Sequence, residues 1–229
     1  MNRALREACR AGVPPRLVVV TDLDVAPWDL LVSRVGAVLR SATPGSVAVQ
    51  LRDLERGARE RLELGGALAS ACRTEGQFLV VNDRLDVAVL LGADGVHLGE
   101  ASVSSAEARR IPGLDEIWVS RACHAADAVS GEDADAVLLS PAAAPRKGRS
   151  PLGPEAFRRA RASLEAVSAR SRPLLYALGG IDAANTAAFR AAGADGVAVI
   201  GAVLDGRDAM PLLEALGIRR GKGAAPSGG

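Results

Sequence analysis

Short apolar runs recur along the chain, each followed by a longer stretch with the character of an amphipathic helix. The runs are RLVVVT (16–21), SVAVQL (46–51), FLVVN (78–82), GVHLG (95–99), EIWVS (116–120), AVLLS (136–140), LLYAL (174–178) and GVAVI (196–200). They are rich in β-branched residues and leucine and nearly continuous, as expected of parallel strands covered on both faces. Between the first two, residues 27–40 place Leu30, Leu31, Val35, Val38 and Leu39 near helical spacing. Residues 154–167 open on a proline with an early glutamate, and residues 185–193 run from an asparagine to a glycine, which mark helix boundaries. Strand–helix alternation eight times over predicts an α/β fold, a single (β/α)8 TIM barrel over residues 1–217, with an open doubly wound sheet as the alternative. Residues 218–229 are small and polar and read as a disordered tail.

One phrase occurs twice. GADGV opens the run at 95 and again the run at 196, and DADAV precedes the run at 136. In each full copy the first glycine is predicted to end a helix, Ala-Asp to turn the chain, and Gly-Val to begin a strand. This makes it a joint repeated on the face of the barrel that serves stability. The other ends of the runs are polar. They carry Thr21 and Asp22, Gln50 and Arg52, Asn82 and Asp83, His97 and Glu100, Ser120, Ser140, Gly179 and Gly180, and Gly201. In this architecture the carboxyl ends of the strands carry the chemistry.

Composition narrows the classes. With 229 residues and a net charge of +1, the chain has a sizeable core and neither a nucleic-acid stripe nor a polybasic membrane arm. No apolar run reaches membrane-spanning length and the N-terminus lacks a secretory h-region, so neither nucleic acid nor membrane is an expected partner. Three widely spaced cysteines, Cys9, Cys72 and Cys123, support neither a disulfide framework nor a zinc site and suit a cytoplasmic protein. A homo-oligomer is compatible with the sequence.

The strand ends suggest phosphate chemistry. Glycines 179, 180 and 201 end adjacent strands where barrels often bind phosphate through main-chain N–H groups, although tight turns alone also explain them. Gln50 and Arg52 project on one side of the second strand, and an inward arginine needs an anion or a partner such as Asp22 or Asp83. Asp83 beside Asn82 is half of a Mg2+ site or a helix cap. Residues 140–153 form a long loop carrying Arg146, Lys147 and Arg149, suited to close over a phosphorylated substrate or simply to be solvated. His97 reads as a core histidine, and His124 as a candidate acid or base.

Together these residues resemble the thiamine phosphate synthase / thiazole tautomerase family. The matching phrases are VVVTD, VAVQLRD, FLVVNDRLDVAVLLGADGVHLGE, SPLG and ALGGIDAANTAAFRAAGADGVAVI, between about Arg16 and Leu204. The resemblance implies a barrel that joins hydroxymethylpyrimidine pyrophosphate to thiazole phosphate with Mg2+-assisted loss of pyrophosphate. It implies that Gln50 and Arg52 hold the pyrimidine and its pyrophosphate, with Asn82 assisting, and that Asp83 binds Mg2+. Ser120 would lie against the pyrimidine and Lys147 would neutralise the leaving group. Gly179, Gly180, Ile200 and Gly201 would hold the thiazole phosphate.

The chain departs from the family pattern at three places. Leu54 stands where the family carries a pyrophosphate-binding lysine, and Ser102 where it carries a second Mg2+ carboxylate, with Glu100 nearby in sequence. Alanines and Pro145 replace the aromatic and threonine expected after Ser140-Pro141. The tautomerase branch often lacks the same lysine and aspartate and needs only a proton shuttle, for which His124 is the candidate. The readings are therefore synthase, tautomerase, and a non-catalytic barrel binding phosphates of the thiamine pathway.

Overall fold

A computed structural model describes residues 4–52, 56–129, 134–146, 148–165 and 172–221. Helix α1 (Ala4–Arg10) precedes strand β1 (Leu17–Val20), followed by α2 (Trp28–Ser41), β2 (Val47–Leu51), α3 (Ala58–Thr74), β3 (Phe78–Asn82), α4 (Leu85–Leu91) and β4 (Gly95–Leu98). The second half runs α5 (Ser105–Ala108), β5 (Trp118–Cys123), β6 (Ala136–Leu139), α6 (Gly153–Glu165), β7 (Leu174–Leu178), α7 (Thr186–Ala191), β8 (Gly196–Val199), α8 (Gly201–Leu204) and α9 (Met210–Ala215). The strands pair in sequence order, all parallel, and β8 closes on β1. The open-sheet alternative is thereby excluded. Between β5 and β6 the described residues hold one 3-10 turn, Ala126–Ala128, in place of a helix.

Two buried layers follow from the strand pleat. Outward residues such as Leu17, Val19, Val47 and Val49 pack under the helices. Inward residues form a second cluster of Leu5, Val18, Val20, Ala48, Phe78, Val80, Trp118, Ala136, Leu138, Tyr176 and Ala198, in which Leu5 of α1 closes the amino-terminal end of the barrel. The aromatic rings fix the neighbouring glycines. A Cβ on Gly95 would sit 2.8 Å from the Trp118 ring, and one on Gly196 would sit 2.5 Å from the Tyr176 ring. The last glycine of each GADG copy is therefore the space an aromatic side chain occupies from the adjacent strand.

The aspartates of the repeated phrase are clasps rather than simple turn residues. Asp94, just before β4, accepts the Leu79 N–H of β3 at 2.8 Å and donates its own N–H to Leu79 O at 2.9 Å. Asp135 does the same to Val119 of β5 at 2.8 Å in both directions, and Asp195 to Leu175 of β7 at 2.7 Å in both directions. Gln77 takes the Val47 N–H of β2 at 2.9 Å with its side-chain oxygen. Each joint thus ties a strand's amino end to its predecessor and satisfies a donor that no strand residue reaches. Arginines back two of the clasps, Arg109 and Arg6 on Asp135 and Arg161 on Asp195. The Asp94 Oδ1 has no hydrogen-bond partner among the described residues, and burial pushes its carboxyl up to about 6.

Two sequence expectations are corrected. The fifth strand extends to Cys123 rather than ending at Ser120, which places Ser120 inside the barrel and not at its rim. The folded domain does not stop at 217. Ile218 is buried in the outer core and accepts the Thr43 N–H at 2.7 Å, and Arg220 donates to Ser41 O at 2.8 Å. Residues 222–229 lie outside the described residues. No helix among the described residues is long and apolar enough to cross a membrane.

Candidate active site

Above the aromatic layer the inward positions turn polar. Strand register sets Asn82, His97 and Ser120 level on β3, β4 and β5, with Gln50 on β2 beside them, and all four are buried. A buried polar side chain must be partnered, and these partner one another. Gln50 Nε2 donates to Asn82 Oδ1 at 3.2 Å, and Asn82 Nδ2 donates to Asp83 Oδ2 at 2.9 Å. His97 Nδ1 lies 2.9 Å from Ser120 Oγ. Burial pulls the His97 imidazolium down to about 4, against the attraction of Asp83, so the ring is neutral near pH 7. This is the core histidine that the sequence suggests, and it also forms part of the floor of a cavity.

Asp83 stands where β3 breaks into its turn. Its φ of 56° is left-handed, a conformation that costs a residue with a side chain and tends to accompany function. Its N–H is held by His97 O at 2.9 Å, and the turn is closed by Arg84 N–H on Asn82 O at 2.6 Å. The exposed carboxylate is oriented by Asn82, by the Gly99 N–H at 3.2 Å to Oδ1, and by a short hydrogen bond from the Ser102 hydroxyl. Ser102 Oγ also accepts the Gly99 N–H at 2.8 Å. Among the described residues no three His, Cys, Asp or Glu side chains cluster to hold a metal. Asp83 offers one oriented carboxylate of hard oxygen donors open to the cavity. That fits a Mg2+ that takes one carboxylate from protein and its other ligands from substrate phosphates and water.

Arg52 follows β2, and its N–H is fixed by Thr21 Oγ1 at 2.9 Å. Among the described residues its guanidinium makes no ion pair with Asp22 or Asp83, and it lines the cavity. His124 follows β5, with Nδ1 2.8 Å from Ser140 O and 3.0 Å from Ser140 Oγ. A carbonyl oxygen only accepts, so Nδ1 carries a proton. The His124 Nε2 lies 3.9 Å from Glu100, whose carboxylate also meets Arg149 at 3.8 Å.

These side chains surround a cavity of about 220 Å3 lined by Gln50, Arg52, Asn82, Asp83, His124 and Arg146 among others. A second cavity, about 340 Å3, adjoins it and is lined by Gly179, Gly180, Gly201, Ala202 and Arg207. Leu178, Ile200 and Arg146 line both. The loop after β6 lies across β7: Ala142 N–H bonds Leu178 O at 2.8 Å and Ala143 N–H bonds Gly179 O at 2.7 Å. Gly180 has φ 70°, and a Cβ there would fall 2.4 Å from Ala144 Cβ, so only glycine admits this loop. The first-turn N–H groups of Gly201 and Ala202 have no carbonyl within α8 to bind.

The structure therefore gathers Gln50, Arg52, Asn82, Asp83 and His124 in one cavity and Gly179, Gly180 and Gly201 in the other, with Ile200 between them. Ser120 is 1% exposed and bonded to His97, and it is not among the residues that line either cavity, so the structure places it behind the His97 ring. Lys147 and Leu54 lie outside the described residues. Sequence reasoning missed the shared position of Arg146 and the place of Arg207 in the second cavity. The signal available was a basic residue just beyond a glycine-bearing strand end.

Comparison with known proteins gives consistent matches. A family model described as thiamine monophosphate synthase matches residues 17–203. A thiamine-phosphate synthase of Chlorobium luteolum is 36% identical over 194 residues, covering 82% of this chain and 85% of its own. One from Moorella thermoacetica is 36% identical over 214 residues, covering 85% of this chain and 99% of its own. The solved structure of a thiamine phosphate pyrophosphorylase from Pyrococcus furiosus superposes with a TM-score of 0.72 at 27% identity, covering 88% of this chain and 93% of that one.

Proposed function

The chain belongs to the thiamine monophosphate synthase family, and from that premise we propose how its rim carries out the transfer. The enzyme joins hydroxymethylpyrimidine pyrophosphate to thiazole phosphate and releases pyrophosphate. The observation that carries this reading is the pair of adjoining cavities, one with Arg52 and Asp83 and one lined by glycines, which suits two anionic substrates meeting at their reactive ends.

Arg52 binds the pyrophosphate through its forked N–H groups. Gln50 and Asn82 present amide donors and acceptors to the pyrimidine edge. The carbon–oxygen bond to pyrophosphate breaks with its electron pair leaving on oxygen, and positive charge develops on the pyrimidine methylene. The neutral His97 in the floor adds no opposing charge there. The thiazole nitrogen then donates its lone pair to that carbon and forms the carbon–nitrogen bond. Main-chain groups at Gly180, Gly201 and Ala202, with Arg207 beside them, hold the thiazole phosphate in line. Asp83 would hold Mg2+, which when bound neutralises charge building on the leaving pyrophosphate. His124, braced by Ser140, orders the loop joint beside the cavity and is not needed as a base in this transfer. The tautomerase and non-catalytic readings have no support among the relatives described above. Among the described residues the cysteines form no disulfide, and burial pushes Cys9 and Cys72 up to about 12, which suits inert thiols in a reducing cytoplasm.

Incubating purified protein with both substrates, with and without Mg2+, tests the proposal. Pyrophosphate and thiamine phosphate are expected in equal amounts only when Mg2+ is present. No product at high enzyme concentration rejects it.

A further inference from the structure

Arg146 occupies a position that the family resemblance does not assign. Of the three residues lining both cavities, Leu178 and Ile200 are apolar, and Arg146 alone carries charge and hydrogen-bond donors. Its place is set by main chain. Arg146 N–H bonds Arg149 O at 3.1 Å and Arg149 N–H returns to Arg146 O at 3.0 Å, with Gly148 at φ 74° completing the turn. The base of the loop is tied to β7 at Leu178 and Gly179, and Leu152 N–H closes it on Pro141 O at 2.9 Å.

The two arginines of this turn differ in what they meet. Arg149 faces Glu100 at 3.8 Å. Arg146 has no carboxylate partner among the described residues, and its side chain is exposed at the junction of the cavities. A guanidinium presents five N–H donors in a planar fork and can serve oxygens of two phosphate groups at once, which a lysine's point charge does less well.

We propose that Arg146 is a bridging cation, one guanidinium that contacts the leaving pyrophosphate in the first cavity and the phosphate of the second substrate in the other. It deepens the synthase reading above, and rests on it for the identity of the two anions. Its role is substrate binding on both sides and alignment of one substrate against the other.

The test measures binding of pyrophosphate alone and thiamine phosphate alone by calorimetry, alongside KM for each substrate. Arg146→Ala is expected to weaken both ligands on the order of tenfold and to raise both KM values, with no change in thermal midpoint because the side chain is exposed. Arg146→Lys is expected to fall between the two proteins for both ligands. Arg149→Ala, whose charge already faces Glu100, is expected to change either affinity less than Arg146→Ala does. Loss confined to one ligand, or to neither, overturns the proposal, as does an effect of Arg149→Ala equal to that of Arg146→Ala. The two readings fail separately. Arg146-dependent binding of both ligands without any thiamine phosphate formed leaves the bridge standing and removes the synthase. Synthase activity indifferent to Arg146 does the reverse.

Discussion

Trp118 and Ser120 stand two residues apart on β5, both point into the barrel, and they belong to opposite worlds. Below, Trp118 fills space that Gly95 leaves for it, and Leu5 closes the end. Above, Ser120 is bonded to His97, which lines a cavity. Aspartates show the same division. Asp135 and Asp195 at the lower end are engaged by strand N–H groups and arginines. Asp83 at the upper end is oriented by an amide, a hydroxyl and a main-chain N–H, with no cation paired to it among the described residues. One residue type makes a clasp where its partners complete it, and a ligand site where they orient it without neutralising it.

The largest expected effect lies at the top. Asp83→Ala should lower kcat/KM on the order of 10^3-fold, about 4 kcal/mol of transition-state stabilisation. It should lower the denaturation midpoint only a little: the side chain is exposed, but alanine keeps a Cβ at a left-handed position and leaves the Asn82, Gly99 and Ser102 donors without their carboxylate. A stability loss as large as that of Asp195→Ala would place Asp83 among the clasps and break the comparison.

Asp195→Ala is the mirror experiment. It strips Arg161 of its carboxylate partner, leaving it the Gly193 carbonyl, and leaves the Leu175 N–H without an acceptor side chain, a loss of about 2–3 kcal/mol in urea unfolding. KM for both substrates should not move. A KM change as large as the stability change would show that the lower joints set the geometry of the site directly.

Asp94 sharpens the comparison within the lower end, since it is the clasp whose second oxygen is unpartnered. Its carboxyl titrates at about 6 in the folded protein, above the ordinary 3.8. The folded state therefore holds its proton longer than the unfolded chain does. This group's contribution to stability is fully present below about 3.8 and is lost as pH rises through about 6. Wild type should gain stability relative to Asp94→Asn, by up to about 2 kcal/mol, as pH falls from 7 to 4. A difference between the two proteins that stays flat over that range would mean that Arg73 or the Leu79 N–H neutralises the carboxylate fully.

What the sequence shows and hides follows from range. The eight runs, the glycine at each joint and the polar rim are local patterns, and the barrel they predict is the one that forms. The clasps are not local: Asp195 binds a residue 20 positions back, and the need for Gly95 comes from Trp118 on the next strand. The end of β5 was misplaced because EIWVS and the polar residues after it look like a strand and its exit, whereas pairing to β6 carries it to Cys123. Residues 218–220 look like tail because one isoleucine, Ile218, anchors a segment that is otherwise polar. Gln50, Arg52, Asn82 and Asp83 were legible as a set because parallel strands bring successive carboxyl ends together. The joint duty of Arg146 was not, because it depends on where a loop lies over β7.

The smallest effect asked of these residues concerns Ser102, where composition shows only a missing carboxylate. In the structure its hydroxyl donates to Asp83 and its oxygen accepts the Gly99 N–H, so it orients the one carboxylate the site has. Ser102→Asp would place a second negative charge against the first. Without metal that pair repels, and the thermal midpoint should fall. With Mg2+ the repulsion becomes attraction to a shared ion, so the Mg2+ concentration for half-maximal activity should drop roughly tenfold, about 1.4 kcal/mol. The midpoint should also become more sensitive to added Mg2+ than in wild type, a readout independent of turnover. If neither the Mg2+ requirement nor the Mg2+-dependent midpoint moves, Ser102 does not face the ion, and the open side of Asp83 lies elsewhere on the rim. Glu100, already in the cavity wall, is then the side chain to replace next, with Glu100→Gln expected to raise the Mg2+ requirement if its carboxylate serves as the second ligand.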